Sequence, residues 1–239
     1  MNIQVKVSRG KGSRVKWGFL GGLALALAAC GGTVAPQASD QPTVTVLNGK
    51  VAGWKGNGRV AVAGLPSVSA PVREDGLVTL TLPGAPELAQ YALPAAEVMQ
   101  PLKCSGTVQS SNAEARIFTV VALDVQDSAG SRQVQAITGS KSGLLSRRVT
   151  AHIWVYSDRV TQLRGEVDCA RILDIPQLTR LPVTVAANAQ PGWNVAELDI
   201  KISANLLAQL SASGTLVNAV SSGLNVFHTL EELQAQVAF

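Results

Sequence analysis

A mostly β fold, built as two antiparallel β-sandwich-like domains with a short C-terminal helix, is what this 239-residue sequence predicts. Two observations carry the expectation. Apolar and polar residues alternate over short runs, which is the pattern of a strand with one face buried. Turn dipeptides then punctuate those runs: Asn57-Gly58, Asp75-Gly76 and Pro191-Gly192 supply the glycines that tight turns need.

The first domain is expected over 42–101. Val44 and Val46 alternate with threonines, Val60 and Val62 with alanines, and Val78, Leu80 and Leu82 with Leu77, Thr79 and Thr81. Residues 83–101 hold four prolines and read as a connector with a short helix around 87–91. The second domain is expected over 102–239. Residues 115–127 are apolar on both parities, which predicts a strand covered on both faces. Asp127-Ser128-Ala129-Gly130 turns that strand into 132–138. Next, Val149, Ala151, Ile153 and Val155 share one face of a strand while Thr150, His152, Trp154 and Tyr156 share the other. Leu163, Val167 and Cys169 share a parity on the strand after it. Residues 181–186 and 193–202 make a third strand pair, 204–210 has helical spacing at Leu206, Leu207 and Leu210, and 215–227 is open to strand. Thr229-Leu230-Glu231-Glu232 is a capping box that opens a final helix.

The segment 48–83 carries Asn48-Gly49-Lys50-Val51, Gly58-Arg59-Val60 and Asp75-Gly76-Leu77-Val78-Thr79-Leu80-Thr81-Leu82-Pro83. It resembles the carboxypeptidase-regulatory or transthyretin-like β-sandwich. That resemblance implies a spacer or binding platform, with no catalytic residue among the matching positions.

The first 29 residues have a different character. Lys6, Arg9, Lys11, Arg14 and Lys16 precede an apolar run over 17–29 that is too short for the roughly 20 residues of a spanning helix. Leu27-Ala28-Ala29-Cys30 resembles the lipobox of bacterial lipoproteins. The resemblance implies a signal peptide over 1–29, cleavage before Cys30 and acyl chains on that cysteine, which would anchor the protein to a membrane. Gly31, in place of aspartate, implies an outer-membrane or surface location over the inner membrane. Residues 30–41 then form a lipidated flexible tether. Removal of the signal leaves 15 basic against 16 acidic residues, so the basic balance of the whole chain is no argument for a nucleic-acid partner.

With Cys30 acylated, Cys104 and Cys169 remain as an even pair in an oxidising compartment, and a disulfide between them is expected. Two isolated cysteines without a nearby histidine are poor zinc ligands, so neither metal nor cofactor is expected.

Catalytic signals are sparse. Lys141-Ser142-Gly143 matches a triplet of penicillin-interacting serine enzymes, but the mature chain has no S-x-x-K partner motif. Carboxylates fall in pairs, Asp124 with Asp127, Glu166 with Asp168 and Glu197 with Asp199. Such pairs suit a glycosidic bond or a calcium ion, and equally the solvated face of a half-buried strand. Trp54 and Trp193 are further aromatics, Trp193 placed to plug a core. His152, Trp154 and Tyr156 make the one candidate ligand-binding face; the same residues would also serve as cross-strand packing between domains. His228 sits beside the last helix cap. The expectation is a lipid-anchored envelope protein with a structural or interaction role and no catalysis, partnered by envelope protein or cell-wall polysaccharide. The alternatives are a carbohydrate- or peptidoglycan-binding accessory and an envelope hydrolase.

Overall fold

The computed structural model describes residues 44–207, 209–219 and 224–239. The expected signal peptide and tether, with Cys30, lie outside the described residues. The described residues open with four strands, β1 (Val46–Val51), β2 (Gly58–Val62), β3 (Leu65–Val72) and β4 (Leu77–Thr81). The connector holds helix α1 (Ala85–Leu88), the short β5 (Leu93–Pro94) and two 3₁₀ turns, Ala95–Glu97 and Gln100–Leu102. There follow β6 (Ser105–Ser110), β7 (Arg116–Val120), β8 (Leu123–Asp127), β9 (Gly130–Val134), β10 (Ile137–Gly143), β11 (Ser146–Ser157) and β12 (Thr161–Asp168). The chain closes with β13 (Pro182–Ala189), β14 (Gly192–Ala204), β15 (Leu210–Asn218), β16 (Asn225–Phe227) and helix α2 (Leu230–Val237).

The fold is mostly β, and the described residues form three sheets. A nine-stranded sheet runs β5-β7-β11-β14-β15-β13-β12-β6, with β10 also paired to β11; smaller sheets run β16-β1-β4 and β3-β2-β8-β9. Most pairings are antiparallel, but β1 with β16 and β13 with β15 are parallel. The segments 42–101 and 102–239, expected as separate domains, share both smaller sheets. β1 pairs with β16, and β2 pairs with β8.

Two apolar cores result. The first lies on one face of the nine-stranded sheet and takes Val149, Ile153, Leu198, Ile200 and Val183, with Leu233 and Val237 of α2. The second lies under the smaller sheets and takes Leu47, Val60, Leu80, Leu123 and Phe227, together with Trp154, Tyr156 and Trp193. Successive residues of a strand point to opposite faces, so β11 and β14 serve both cores. On β11, Val149, Ala151, Ile153 and Val155 enter the first core, while Trp154 and Tyr156 enter the second.

This division explains where the sequence pattern misleads. The apolar run 115–127 is two strands in different sheets: β7 pairs with β11, and β8 pairs with β2 and β9. Its double-sided apolarity arises because Ile117 meets the first core and Val120, Leu123 and Val125 meet the second. The expected pair 181–186 and 193–202 is separated, since β15 inserts between β13 and β14. The helical spacing at 204–210 is overridden by Asn205, whose side-chain oxygen accepts from the N–H groups of Leu207 and Gln209, both at 2.9 Å. That Asx turn makes a hairpin of β14 and β15. The connector helix forms earlier than 87–91, at Ala85–Leu88, with the Glu87 carboxylate accepting from Gly84 N–H at 2.7 Å. α2 begins as its capping box requires: Thr229 Oγ1 accepts from Glu232 N–H, and the Glu232 carboxylate accepts from Thr229 N–H. No helix among the described residues is long and apolar enough to cross a membrane.

Candidate functional site

A disulfide joins Cys104 to Cys169, with an S–S distance of 2.01 Å. Cys104 immediately precedes β6 and Cys169 immediately follows β12, and these two strands are paired with Ser105 opposite Asp168. The register therefore brings the two cysteines together at one end of an antiparallel ladder. Cys169 is fully buried, as its parity with Leu163 and Val167 implies.

The aromatic face expected around Trp154 and Tyr156 is inside the molecule. Trp154 is 4% exposed and stacks on Phe227 at 6.1 Å between ring centroids; Tyr156 is 7% exposed and meets Trp193 edge-on at 5.7 Å. Burial raises the Tyr156 phenol pKa, with the charge of Asp158 adding to it. Neither ring is open to a ligand. The cause is the pairing of β1 with β16, which carries Phe227 over this face. Trp193 is also buried, and its indole N–H donates to the Pro83 carbonyl at 2.8 Å. Trp54 is half-buried and donates to Gly56 O.

His152 stands at the edge of the same face, half-buried. Its Nδ1 lies 2.7 Å from Asn225 Oδ1 and its Nε2 lies 3.4 Å from the Glu197 carboxylate. The ring therefore bridges β11, β14 and β16. His228 Nδ1 lies 3.1 Å from Glu232, within the helix cap.

The carboxylate pairs are divided among structural partners. Asp127 accepts from Arg132 at 2.8 Å and from the N–H groups of Ala129 and Lys55. Burial alone would raise its pKa, but the Arg132 hydrogen bond and these backbone donors outweigh it and leave the value lowered. Asp124 accepts from Gln133. Asp168 accepts from the N–H groups of Leu181 and Ala170 at 3.0 and 3.1 Å. Those two bonds, Leu181's first, lower its pKa against a smaller burial penalty. Asp199 holds Arg148 through two bonds of 2.7 and 2.9 Å. Glu166 is exposed on β12. Among the described residues, no group of three or more histidine, cysteine, aspartate or glutamate side chains is placed to hold a metal ion. Lys141-Ser142-Gly143 ends β10 as an exposed, irregular hairpin arm.

Two features are not expected from the sequence, although Arg59, Asp124, Leu206 and Leu207, singled out there for other reasons, take part in them. A groove of about 450 Å³ crosses the four-stranded sheet, lined by Arg59, Asp124, Gln126, Ser131 and Arg132 together with the apolar Ala61, Pro66 and Val125. Alternation puts Arg59 and Gln126, paired across β2 and β8, on the groove side while Val60 enters the second core. The second feature is a pair of leucine-bearing hairpin tips, at 144–145 and 206–207. Compared with family models, curated proteins and solved structures, the chain shows no match.

Proposed function

We propose that the protein is a lipid-anchored component of a bacterial cell envelope with a structural or interaction role and no catalytic chemistry. The observation that carries this reading is Leu27-Ala28-Ala29-Cys30-Gly31 at the end of a basic, then apolar, leader. Acyl chains on Cys30 would hold the molecule at a membrane, and more than one chain makes such anchoring durable. The disulfide supports the assignment to an oxidising compartment. The non-catalytic part is supported by the commitment of Asp127, Asp168 and Asp199 to arginines or backbone N–H groups and by the bracing of His152 between Asn225 and Glu197.

The test is expression of the full chain in a bacterial host, followed by fractionation and mass spectrometry of the mature N-terminus. The expected result is membrane-associated protein that begins at an acylated Cys30, and soluble or unprocessed protein for Cys30→Ser. A mature, unacylated N-terminus elsewhere in the chain overturns the reading.

The groove on the four-stranded sheet favours a second reading, a polysaccharide-binding accessory, because the arginine, amide, hydroxyl and carboxylate groups on it are those that hydrogen-bond sugars. Binding of peptidoglycan fragments that is lost in Arg59→Ala would select it.

A further inference from the structure

We propose that one end of the nine-stranded sheet docks onto an anionic lipid bilayer through two adjacent leucine-tipped hairpins, independently of acylation at Cys30. In the β10–β11 hairpin, Gly143 pairs with Ser146, so Leu144 and Leu145 form the tip. In the β14–β15 hairpin, Ala204 pairs with Leu210, and Leu206 and Leu207 sit in the connecting turn. The tips are neighbours: Ser146 pairs with Ser203, and Ala204 N–H donates to Leu145 O at 2.9 Å. Leu144, Leu206 and Leu207 are 92%, 95% and 79% exposed.

Both tips are built to hold their shape and to satisfy their own backbone. Arg147 is 4% exposed and reaches up from beneath, donating to the carbonyls of Gly143, Leu144 and Ser146 at 3.0 to 3.4 Å. It also donates to the carbonyl of Ala238 at 2.7 Å and covers the Phe239 ring at 4.4 Å. The Asn205 side chain serves the other tip by accepting from Leu207 and Gln209. In a lipid environment every backbone polar group needs an internal partner, and these tips supply several of theirs.

The occupant follows from shape and charge. Three leucines on convex tips offer far less than the roughly 800 Å² per partner of a standard protein interface. A bilayer needs no complementary pocket to accept them. Exposed Lys141 and Lys201 flank the tips, and neither enters an ion pair among the described residues. Such cations, set just behind an apolar tip, match anionic headgroups. Arg148 adds no free charge because Asp199 neutralises it. This contact is distinct from the proposed anchor. Val44, the first described residue, bridges to Trp193 at the opposite end of β14, about 36 Å from Ala204 at ~3.3 Å per strand residue.

The test uses the unacylated fragment 31–239, which contains every described strand, both cores and the disulfide within one compact unit. It is sedimented with vesicles of phosphatidylcholine alone and of phosphatidylcholine mixed with phosphatidylglycerol. Saturable pelleting with the anionic vesicles is expected, weaker with the neutral ones. Leu144→Gln with Leu206→Gln and Leu207→Gln should weaken it about tenfold or more and, because all three sites are exposed, should leave the denaturant midpoint unchanged. Lys141→Gln with Lys201→Gln should remove the preference for anionic lipid. No pelleting of the unmodified fragment, or pelleting indifferent to the leucines, overturns the proposal. Leucine-dependent self-association without lipid assigns the tips to a second copy and overturns it too, and leucine-dependent binding to an envelope protein in place of vesicles does the same.

Discussion

The two cores share β11 and β14 and differ in almost everything else. The first is aliphatic, closed by long regular strand pairings and by α2, and a covalent bridge spans its β6–β12 edge. The second is assembled from strands remote in sequence, β1 with β16 and β2 with β8, around Trp154, Tyr156, Trp193, Phe118 and Phe227. Its organising contacts are ring on ring and one indole hydrogen bond. One core therefore has a covalent staple, while the other depends on the fit of a few large side chains. Closure entropy must be met before remote pairings contribute, so the aromatic core should be the first to open when the fold is stressed.

The largest expected effect comes from removing the residue on which that core turns. Trp193→Ala deletes edge-to-face contacts with Tyr156 at 5.7 Å and Phe118 at 6.2 Å, and strands the Pro83 carbonyl. A loss of roughly 3–5 kcal/mol for the cavity, with about 1–3 kcal/mol more for the unpaired carbonyl, should appear as a lowered denaturant midpoint. Native-state hydrogen exchange should show amides of β1 and β2 losing protection before those of β12 and β13. Uniform loss across all four strands would mean that the cores open as one unit.

Replacing both Cys104 and Cys169 with serine probes the opposite side. The bridge spans a sequence separation of 65, so the chain-entropy account assigns it about 4 kcal/mol. The loss should exceed any change in the β1–β16 pairing, and the β6–β12 ladder should be the first to exchange in the double variant. Exchange that begins again in β1 and β2 would show that the aromatic core remains the weaker half even without the staple.

The same contrast decides what was legible in the sequence. Features set by neighbouring residues could be read: the alternation on β11, the Ser128-Ala129 hairpin between Asp127 and Gly130, the Thr229 cap and the parity that buries Cys169. Features set by remote pairing could not. Nothing near Trp154 or Tyr156 announces that Phe227 will cover them, so an alternating strand with aromatics on its second face resembles an exposed platform. Trp193 was easier, because a bulky ring opening an apolar strand after a Pro-Gly turn has few places to go but inward. The leucine turn at 206–207 misled for a local reason, since the spacing of its leucines suits a helix while the Asn205 side chain bonds the backbone first. The groove needs four strands from both halves of the chain in register, which no single stretch of sequence displays.

The smallest effect appears only in acid and again separates the halves. Asp168 lies one residue before Cys169 on the stapled side, and Asp127 lies at the β8–β9 turn on the aromatic side; both have folded pKa values below the ordinary 3.8. A carboxylate whose folded pKa is lowered contributes stability that is fully present above its unfolded value and is lost as pH falls through the folded one. Acid should therefore weaken both sites, beginning near 3.8 and ending below it. Asp168→Asn keeps an oxygen to accept from Leu181 and Ala170 but cannot titrate, so at neutral pH it should lose the modest stability that the lowered pKa represents, and its acid limb should be flatter than that of the unmodified protein. Asp168 faces the exposed Arg180 at 3.7 Å, whereas Asp127→Asn loses the charge that faces the more enclosed Arg132 at 2.8 Å, so it should cost more at neutral pH, and the cost should fall on the four-stranded sheet. Paired urea titrations at neutral pH and below 3.8 measure both quantities. An Asp168→Asn acid limb as steep as the original would show that acid unfolding is governed by other carboxylates, Asp127 on the aromatic side first among them.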